Sequence, residues 1–283
     1  MSRRVVITGL GAVTPIGTGT EVFWRNLLAG IPGIAPISLF DPSPYPCRIA
    51  AEVKDFTPER FFDRKRTRLM SRSTQFGVAS CVLCLEHAGW RNGSEPENLG
   101  IVAGISNSSQ DAVESAIDSL QEHGYRRALP YVLTKSFPHA TASEAGLTTG
   151  FQSQVLTLST ACTAGFNAMG LAAEEIRDGR SVAMLCPSTD STISKYVFAY
   201  FCRAGMLTGS NDDPAHASRP FDAKRDGGVA PPSPRLNPCG EMSQRTPSGL
   251  VGPADPGPTR PCRSGRRPGQ WAVAFSVRPA ALY

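Results

Sequence analysis

Cys162 is the residue in this chain whose surroundings best suit covalent chemistry. It follows Val155-Leu156-Thr157-Leu158-Ser159-Thr160, a run of strand composition, and precedes a stretch from Thr163 to Asp178 that reads as a helix closed by Gly179. A cysteine attacks as its thiolate, and a free thiol titrates near about 8.5. The positive end of a helix dipole just beyond it favours the thiolate. Ala161, Ala164 and Gly165 are small enough to let an acyl carbonyl reach the sulfur. Backbone N–H groups at the turn can help hold a developing oxyanion. The arrangement is analogous to the serine elbow of hydrolases. The competing reading is an inert, buried cysteine, the commoner state of the residue.

Three other patterns invite chemistry. Gly9-Leu10-Gly11 follows an apolar run as a dinucleotide loop would, but the third glycine of that fingerprint is missing, because position 14 is Thr14. Cys81, Cys84 and His87 fall on one helical stripe, yet no second cysteine pair lies at zinc-ribbon spacing and the flanks are apolar, so packing is the better reading. Arg64-Lys65-Arg66-Thr67-Arg68 is a basic run that reads either as a solvated face or as a docking patch for an acidic partner.

The elements that would position Cys162 alternate between strand and helix. Arg4-Val5-Val6-Ile7-Thr8 is a β-branched strand ended by Gly9. Thr20 is placed to cap a helix running to Leu28, and Ser73 to His87 reads as a buried helix. Residues 31–70 read as loops with one short helix. Ile101-Val102-Ala103 is a strand. Asp111 to Leu120 is an amphipathic helix with Val113, Ala116, Ile117 and Leu120 on one face. In the helix after Cys162, Phe166, Met169, Ala172, Ala173 and Ile176 are spaced to face a sheet, and Glu174, Glu175, Arg177 and Asp178 form its exposed end. Ser181-Val182-Ala183-Met184-Leu185-Cys186 is the next buried strand. The unit is βαβ, and strands alternating with helices predict an α/β fold with a mainly parallel sheet covered on both faces.

A length of 283 residues, 41% hydrophobic, allows one large domain or two ordinary ones and excludes a wholly disordered or small disulfide-stapled chain. No apolar run is long enough to span a bilayer, and the first residues turn polar at once, so no membrane association and no signal peptide are expected. The eight cysteines suit a reducing cytoplasm. The formal charge of +5 is local: residues 229–283 hold seven arginines and two acids, whereas 1–228 carry 22 charges of each sign. The same 55 residues contain 11 of the 24 prolines, which makes a low-complexity, mostly irregular tail the expectation. Only Trp271-Ala272-Val273-Ala274-Phe275-Ser276-Val277 has strand character there. Arg263, Arg266 and Arg267 lack the interleaved aromatics of a nucleic-acid site, so no nucleic-acid partner is expected.

Ser159-Thr160-Ala161-Cys162-Thr163-Ala164-Gly165 resembles the nucleophile motif of the β-ketoacyl-acyl-carrier-protein synthases, members of the thiolase-like superfamily. Arg4-Val5-Val6-Ile7-Thr8-Gly9-Leu10-Gly11-Ala12-Val13-Thr14-Pro15-Ile16-Gly17 resembles their N-terminal strand and loop. Ser218-Arg219-Pro220-Phe221-Asp222-Ala223-Lys224-Arg225-Asp226-Gly227 resembles the segment downstream of their cysteine. The resemblance covers about residues 3–228 and is nearest the elongating type. It implies the N-terminal half of a thiolase-like α/β fold, a mixed sheet with helices on both faces, over residues 1–228, followed by the irregular tail 229–283. It implies acyl transfer onto Cys162, then decarboxylation of malonyl-carrier protein and carbon–carbon bond formation, in fatty-acid or polyketide synthesis. Phe201 would line the acyl channel. The partners implied are acyl carrier protein, acyl and malonyl thioesters and, for an intact member, a second copy in a homodimer. No metal or organic cofactor is implied, and the location is cytoplasmic. In this context the 64–68 run would meet the acidic carrier protein.

The sequence also departs from the family pattern. Members continue after Arg-Asp-Gly with a glycine-rich strand entry, whereas here Gly228-Val229 runs into Ala230-Pro231-Pro232-Ser233-Pro234. The family's second half, which contributes two histidines, a lysine and a glycine-rich loop, has no counterpart. His87, His123, His139 and His216 do not replace those histidines, because all but His216 lie upstream of Cys162 and His216 sits in a loop. Cys186-Pro187-Ser188-Thr189-Asp190 stands where the family has a Gly-Gly-containing strand end. Two expectations follow: a condensing enzyme that needs the second half from another chain, or a catalytically silent, truncated or frameshifted fragment. The tail begins inside a motif, which favours the fragment. A half-fold would leave apolar faces uncovered and be poorly soluble.

Overall fold

A computed structural model describes residues 4–90, 98–128, 130–190, 192–230, 238–243 and 272–279, the last two stretches as backbone. Strand β1 (Val5–Thr14) turns into the two-residue β2 (Gly17–Thr18) and then helix α1 (Thr20–Leu28). The proline-rich stretch that follows forms the small pair β3 (Ala35–Pro36) and β4 (Ile49–Ala50), then the short basic helix α2 (Arg64–Leu69). Helix α3 (Arg72–His87) leads to β5 (Leu99–Gly104), α4 (Gln110–His123), α5 (Val132–Ser136) and α6 (Ala140–Thr149). The last stretch of the body is β6 (Val155–Leu158), α7 (Ala164–Arg177), β7 (Ala183–Leu185) and α8 (Lys195–Arg203). Two strands come from the tail, β8 (Pro238–Ser243) and β9 (Ala272–Pro279).

The seven-stranded sheet runs β2-β1-β8-β9-β7-β5-β6. It is mixed: β5 is parallel to β6 and β7, while β1 and β7 run antiparallel to β9. This is the mixed α/β sheet that the resemblance implied. The composition of the tail gives no sign of β8, whereas β9 overlaps the 271–277 run of strand character.

Helix α3 is the central packing element. Its N-cap Ser71 accepts a hydrogen bond from the Thr74 N–H at 3.2 Å, and most of its residues are buried. It lies directly against β1, where a Cβ on Gly11 would stand 1.9 Å from the Ser80 carbonyl oxygen and one on Gly9 2.4 Å from that of Cys84. The Gly9-Leu10-Gly11 pattern is therefore spent on close helix–strand approach, not on a nucleotide. Cys81 and Cys84 are fully buried, and His87 Nδ1 accepts the Leu10 N–H at 3.2 Å.

Two details differ from the sequence reading. Thr20 does not cap α1; Gly19 holds the N-cap position, and the Thr20 hydroxyl donates to the Leu10 carbonyl at 2.7 Å. The apolar stripe of α4 is not its buried face. Ile117 and Leu120 are exposed, and Glu114 is the buried residue of that helix. A paired carboxylate turned inward, rather than hydrophobicity, sets the rotation of α4.

A second core gathers Ile37, Cys47, Ile49, Phe198, Ala217 and Ala230. Phe40, Tyr45 and Phe198 meet edge to face there at 5.5–5.9 Å. Ala230 is fully buried and bridges to Ala50, so the packed body runs two residues past Gly228.

Candidate active site

Cys162 lies in a single 3-10 turn, Ala161–Thr163, between the end of β6 and the first residue of α7. Its thiol is exposed. Ala161, just before it, adopts φ 52°, a left-handed conformation that costs a side-chain-bearing residue about 1–2 kcal/mol. That bend takes the chain out of extended conformation just before Cys162, with α7 starting two residues on. The first N–H groups of a helix have no partners within it and carry the positive end of its dipole. The expected strand–cysteine–helix arrangement is thus present.

The turn is braced from several sides. The Asn167 amide donates to Thr160 Oγ1 at 2.8 Å, and Thr163 Oγ1 donates to the Thr160 carbonyl at 2.9 Å. Behind it, β5 ends on Gly104, whose added Cβ would stand 2.5–2.6 Å from backbone atoms of Ala164 and Gly165. Only glycine lets β5 come this close to the helix that follows the cysteine.

The sequence reading did not identify Asp190 as a brace. It is 2% exposed and accepts the N–H groups of Ser106 at 3.0 Å, Ser108 at 2.8 Å and Asn107. Three donors on one buried carboxylate fix the turn after β5. The Ser159 hydroxyl donates to the Ser106 carbonyl at 3.4 Å, which ties that turn to the strand end preceding Cys162. Its sequence signal is its place, at the end of the Cys186–Asp190 segment that departs from the family pattern just after a buried strand. That segment packs fully, with Ser188 Oγ donating to the Gly104 carbonyl at 2.5 Å and burial pushing the Cys186 thiol far up.

Along α7, Ala172, Ala173 and Ile176 face the core as expected and Met169 packs against it, but Phe166 is 64% exposed. Glu175 does not belong to the exposed end. It is buried and forms two hydrogen bonds with Arg180, at 2.8 and 2.9 Å.

Phe201 sits half-buried on α8. The histidines have their own surroundings. His139 stacks on Phe137 with centroids 5.5 Å apart, His216 pairs with Asp213 at 2.9 Å, and His123 lies at the end of α4. Among the described residues, no three His, Cys, Asp or Glu side chains converge to hold a metal, and no helix is long and apolar enough to cross a membrane.

Downstream, the 218–227 segment folds into a tight loop around Asp226. Its carboxylate accepts from Thr208 Oγ1 at 2.7 Å and Gly209 N at 3.1 Å, and pairs with Arg219 at 3.1 Å. These contacts, the Thr208 hydroxyl first, hold its pKa below the usual carboxylate value.

An exposed cysteine after a left-handed residue at the head of a helix, on a mixed sheet with parallel strands beside it, is the arrangement of a thiolase-like ketosynthase unit. The comparisons bear on this directly. The family model described as "Beta-ketoacyl synthase, N-terminal domain" matches residues 2–230. The chain is 36% identical to 3-oxoacyl-[acyl-carrier-protein] synthase 2 of Synechocystis sp. over 228 residues, which is 80% of this chain and 55% of that protein. It is also 36% identical to the tetracenomycin polyketide synthase ketoacyl synthase alpha subunit of Streptomyces glaucescens, over 80% of this chain and 55% of that one. Among solved structures, a type II PKS acyl-carrier protein in complex with its ketosynthase shares the fold at a TM-score of 0.72 and 19% identity, covering 99% of this chain and 59% of that one. The chain belongs to the beta-ketoacyl synthase family and carries its N-terminal domain. It spans about half the length of the curated relatives it matches.

Proposed function

We propose that this chain carries the acyl-accepting half of a β-ketoacyl-acyl-carrier-protein synthase, with Cys162 as nucleophile. The observation that carries this is the exposed Cys162 on the Ala161 bend at the head of α7. The thiolate attacks the carbonyl of an acyl thioester. The tetrahedral oxyanion collapses, the carrier's thiolate leaves, and the acyl group stays on sulfur. Condensation then requires malonyl-carrier protein to lose carbon dioxide. The resulting enolate carbon attacks the Cys162 thioester, and the cysteine leaves as thiolate. Phe201 would line the channel that receives the acyl chain.

The partner for delivery would be an acyl carrier protein, as in the complex cited above. The surface that suits an acidic carrier is α2, where Arg64, Lys65 and Arg68 are exposed while Arg66 is held by Glu144 at 2.6 Å. A homodimer is part of the same reading. Strand β6 ends the sheet with Val155 and Leu156 exposed, and Leu147 on α6 and Phe166 on α7 are exposed as well. Residues 1–228 would be the catalytic body and 229–283 an appended low-complexity segment located in the cytoplasm with it.

Incubating the purified chain with radiolabelled acyl-carrier protein tests this. Label on Cys162, absent in Cys162→Ala, is the expected result. No labelling of the wild-type chain would leave the silent-fragment reading in its place.

A further inference from the structure

The head of α7 has two unlike sides. The side against the sheet is built of small residues: Ala164, Gly165 and Ala168 are buried, and β5 comes so close that a Cβ on Gly104 would meet the backbone of Ala164 and Gly165. The other side carries Phe166, the one large apolar side chain between Ala161 and Ala168, and it is 64% exposed. One turn further on, Gly170 borders open space, since a Cβ built there would find no atom within 4 Å.

Cys162 and Phe166 stand one turn apart on a continuous helical run. Cys162 lies in the 3-10 turn Ala161–Thr163, Thr163 has φ −97° and ψ −2°, and α7 continues from Ala164 at φ −51° and ψ −42°. Residues at i and i+4 are neighbours on one helix flank. Helical side chains slant back toward the N-terminus, so a long one covers the turn before its own Cα. The ring of Phe166 therefore stands beside the exposed thiol. The adjoining flank is closed by a separate set, in which the Thr163 hydroxyl and the Asn167 amide are both held on Thr160, at 2.9 and 2.8 Å.

We infer that Phe166 sets specificity at this sulfur: its ring excludes acyl groups branched at the carbon next to the carbonyl and admits straight chains. The inference rests on Cys162 being the acyl acceptor. Ala161, Ala164 and Gly165 leave room for the carbonyl itself. The next carbon is two bonds from the sulfur, within reach of a ring that flanks it. In a straight chain that carbon presents only hydrogens, and the chain lies along the ring face. A methyl branch puts a carbon where the ring already stands. Discrimination of a single methyl group by an apolar wall is worth about tenfold or more.

Acylation of the full chain by the N-acetylcysteamine thioesters of n-butyrate and isobutyrate, isomers of one size, tests this. In each, the Cys162 sulfur bonds the carbonyl carbon, the carbonyl–sulfur bond to N-acetylcysteamine breaks, and that thiol leaves with the proton Cys162 gave up. The n-butyryl to isobutyryl rate ratio should fall about tenfold in Phe166→Ala and should not fall in Phe166→Trp, which keeps a ring in place. Leu147→Ala, which removes an equally exposed side chain from α6, should leave the ratio alone. Because Phe166 lies mostly in water, its removal should leave Tm nearly unchanged. Alkylation gives a readout independent of acyl transfer: bromoacetamide and α-bromopropionamide differ by the same methyl branch at the carbon the sulfur attacks as bromide leaves, and their rate ratio should shift in the same direction. An acylation ratio unchanged in Phe166→Ala, or moved as much by Leu147→Ala, would overturn the role of Phe166 and leave Cys162 as acyl acceptor. A wild-type chain that fails to acylate while the alkylation ratio still falls in Phe166→Ala would remove the acyl-transfer reading and keep the ring beside the sulfur. If neither ratio moves, the inference is wrong.

Discussion

Replacing Gly104 by alanine should slow acylation of Cys162 more than it unfolds the chain. Gly104 ends β5 where that strand presses on the head of α7, and its carbonyl is fixed by the Ser188 hydroxyl at 2.5 Å. The new Cβ would stand 2.5 Å from the Ala164 carbonyl carbon and oxygen and 2.6 Å from Gly165 Cα. Every one of these is backbone, so no side chain can rotate away. An ordinary contact begins at 3.4 Å, so strand and helix must separate by roughly 0.9 Å between them. Overpacking of this kind costs about 1–3 kcal/mol. If half the separation falls on α7, Cys162 and the backbone N–H groups at the head of that helix move by roughly 0.4 Å. A 1 Å misplacement costs on the order of a hundredfold in rate, so a loss on the order of tenfold is expected here. The assay is the initial rate of acyl transfer from acyl-carrier protein, alongside a thermal melt. A Gly104→Ala chain that acylates at the wild-type rate would show that the β5–α7 contact does not position the cysteine.

Three further outcomes follow from other contacts. Asp190→Asn keeps the shape but loses the charge that holds three N–H groups, so stability should fall by about 2 kcal/mol. That is a Tm lower by about 4–8 °C, read by calorimetry, and an unchanged Tm would contradict the bracing role. Native-state alkylation followed by mass spectrometry should modify exposed Cys162 while sparing Cys84 and Cys186, whose thiols burial pushes up. Comparable native labelling of Cys186 would be inconsistent with its packing. Asp226 is held ionised by Thr208, Ser210, Gly209 and Arg219, so the unfolded chain takes up its proton first as pH falls. Its contribution is present above the ordinary carboxylate value of about 3.9 and is lost below it, towards the lowered pKa. The Tm gap between wild type and Asp226→Asn should therefore narrow as pH drops through that window, and a gap that widens would refute the sign.

The strand, turn and helix around Cys162 were legible because their signals are local. Val155–Thr160, the small residues around Cys162 and the spacing of Ala172, Ala173 and Ile176 each follow from strand, turn or helix rules that a single stretch can satisfy. What escaped was set by distant partners. Asp190 acquires its role only when β5 and β7 become neighbours and bring the 106–108 N–H groups to it. Glu114 reverses the rotation of α4 because Ser194, some 80 residues away, supplies its hydrogen bond. Glu114 is buried with its donors while Ile117 and Leu120 stay exposed, and periodicity alone registers only the apolar residues. Phe166 fits the sheet-facing spacing of α7 yet is exposed, because Ala164, Gly165 and Ala168 take the buried side of the first turn and the head of the helix packs on β5 through them.

The tail shows the same logic from the other side. Residues 238–243 hold a proline and a glycine and no strand pattern, yet they are extended along β1. The cause lies in the body. The backbone N–H and C=O groups of β1 and β7 need partners, and β8 and β9 lie between these two strands in the sheet. An opening between strands imposes extended conformation on whatever chain enters it. Ile7 is registered against Met242 as well as Val277. β8 in turn runs parallel to β9, with Met242 registered against Val277, so the sheet takes up both segments together. Neither needs strand propensity of its own, because the edge provides the hydrogen bonds that define the strand. That is why composition reads 229–283 as irregular while the sheet uses two pieces of it.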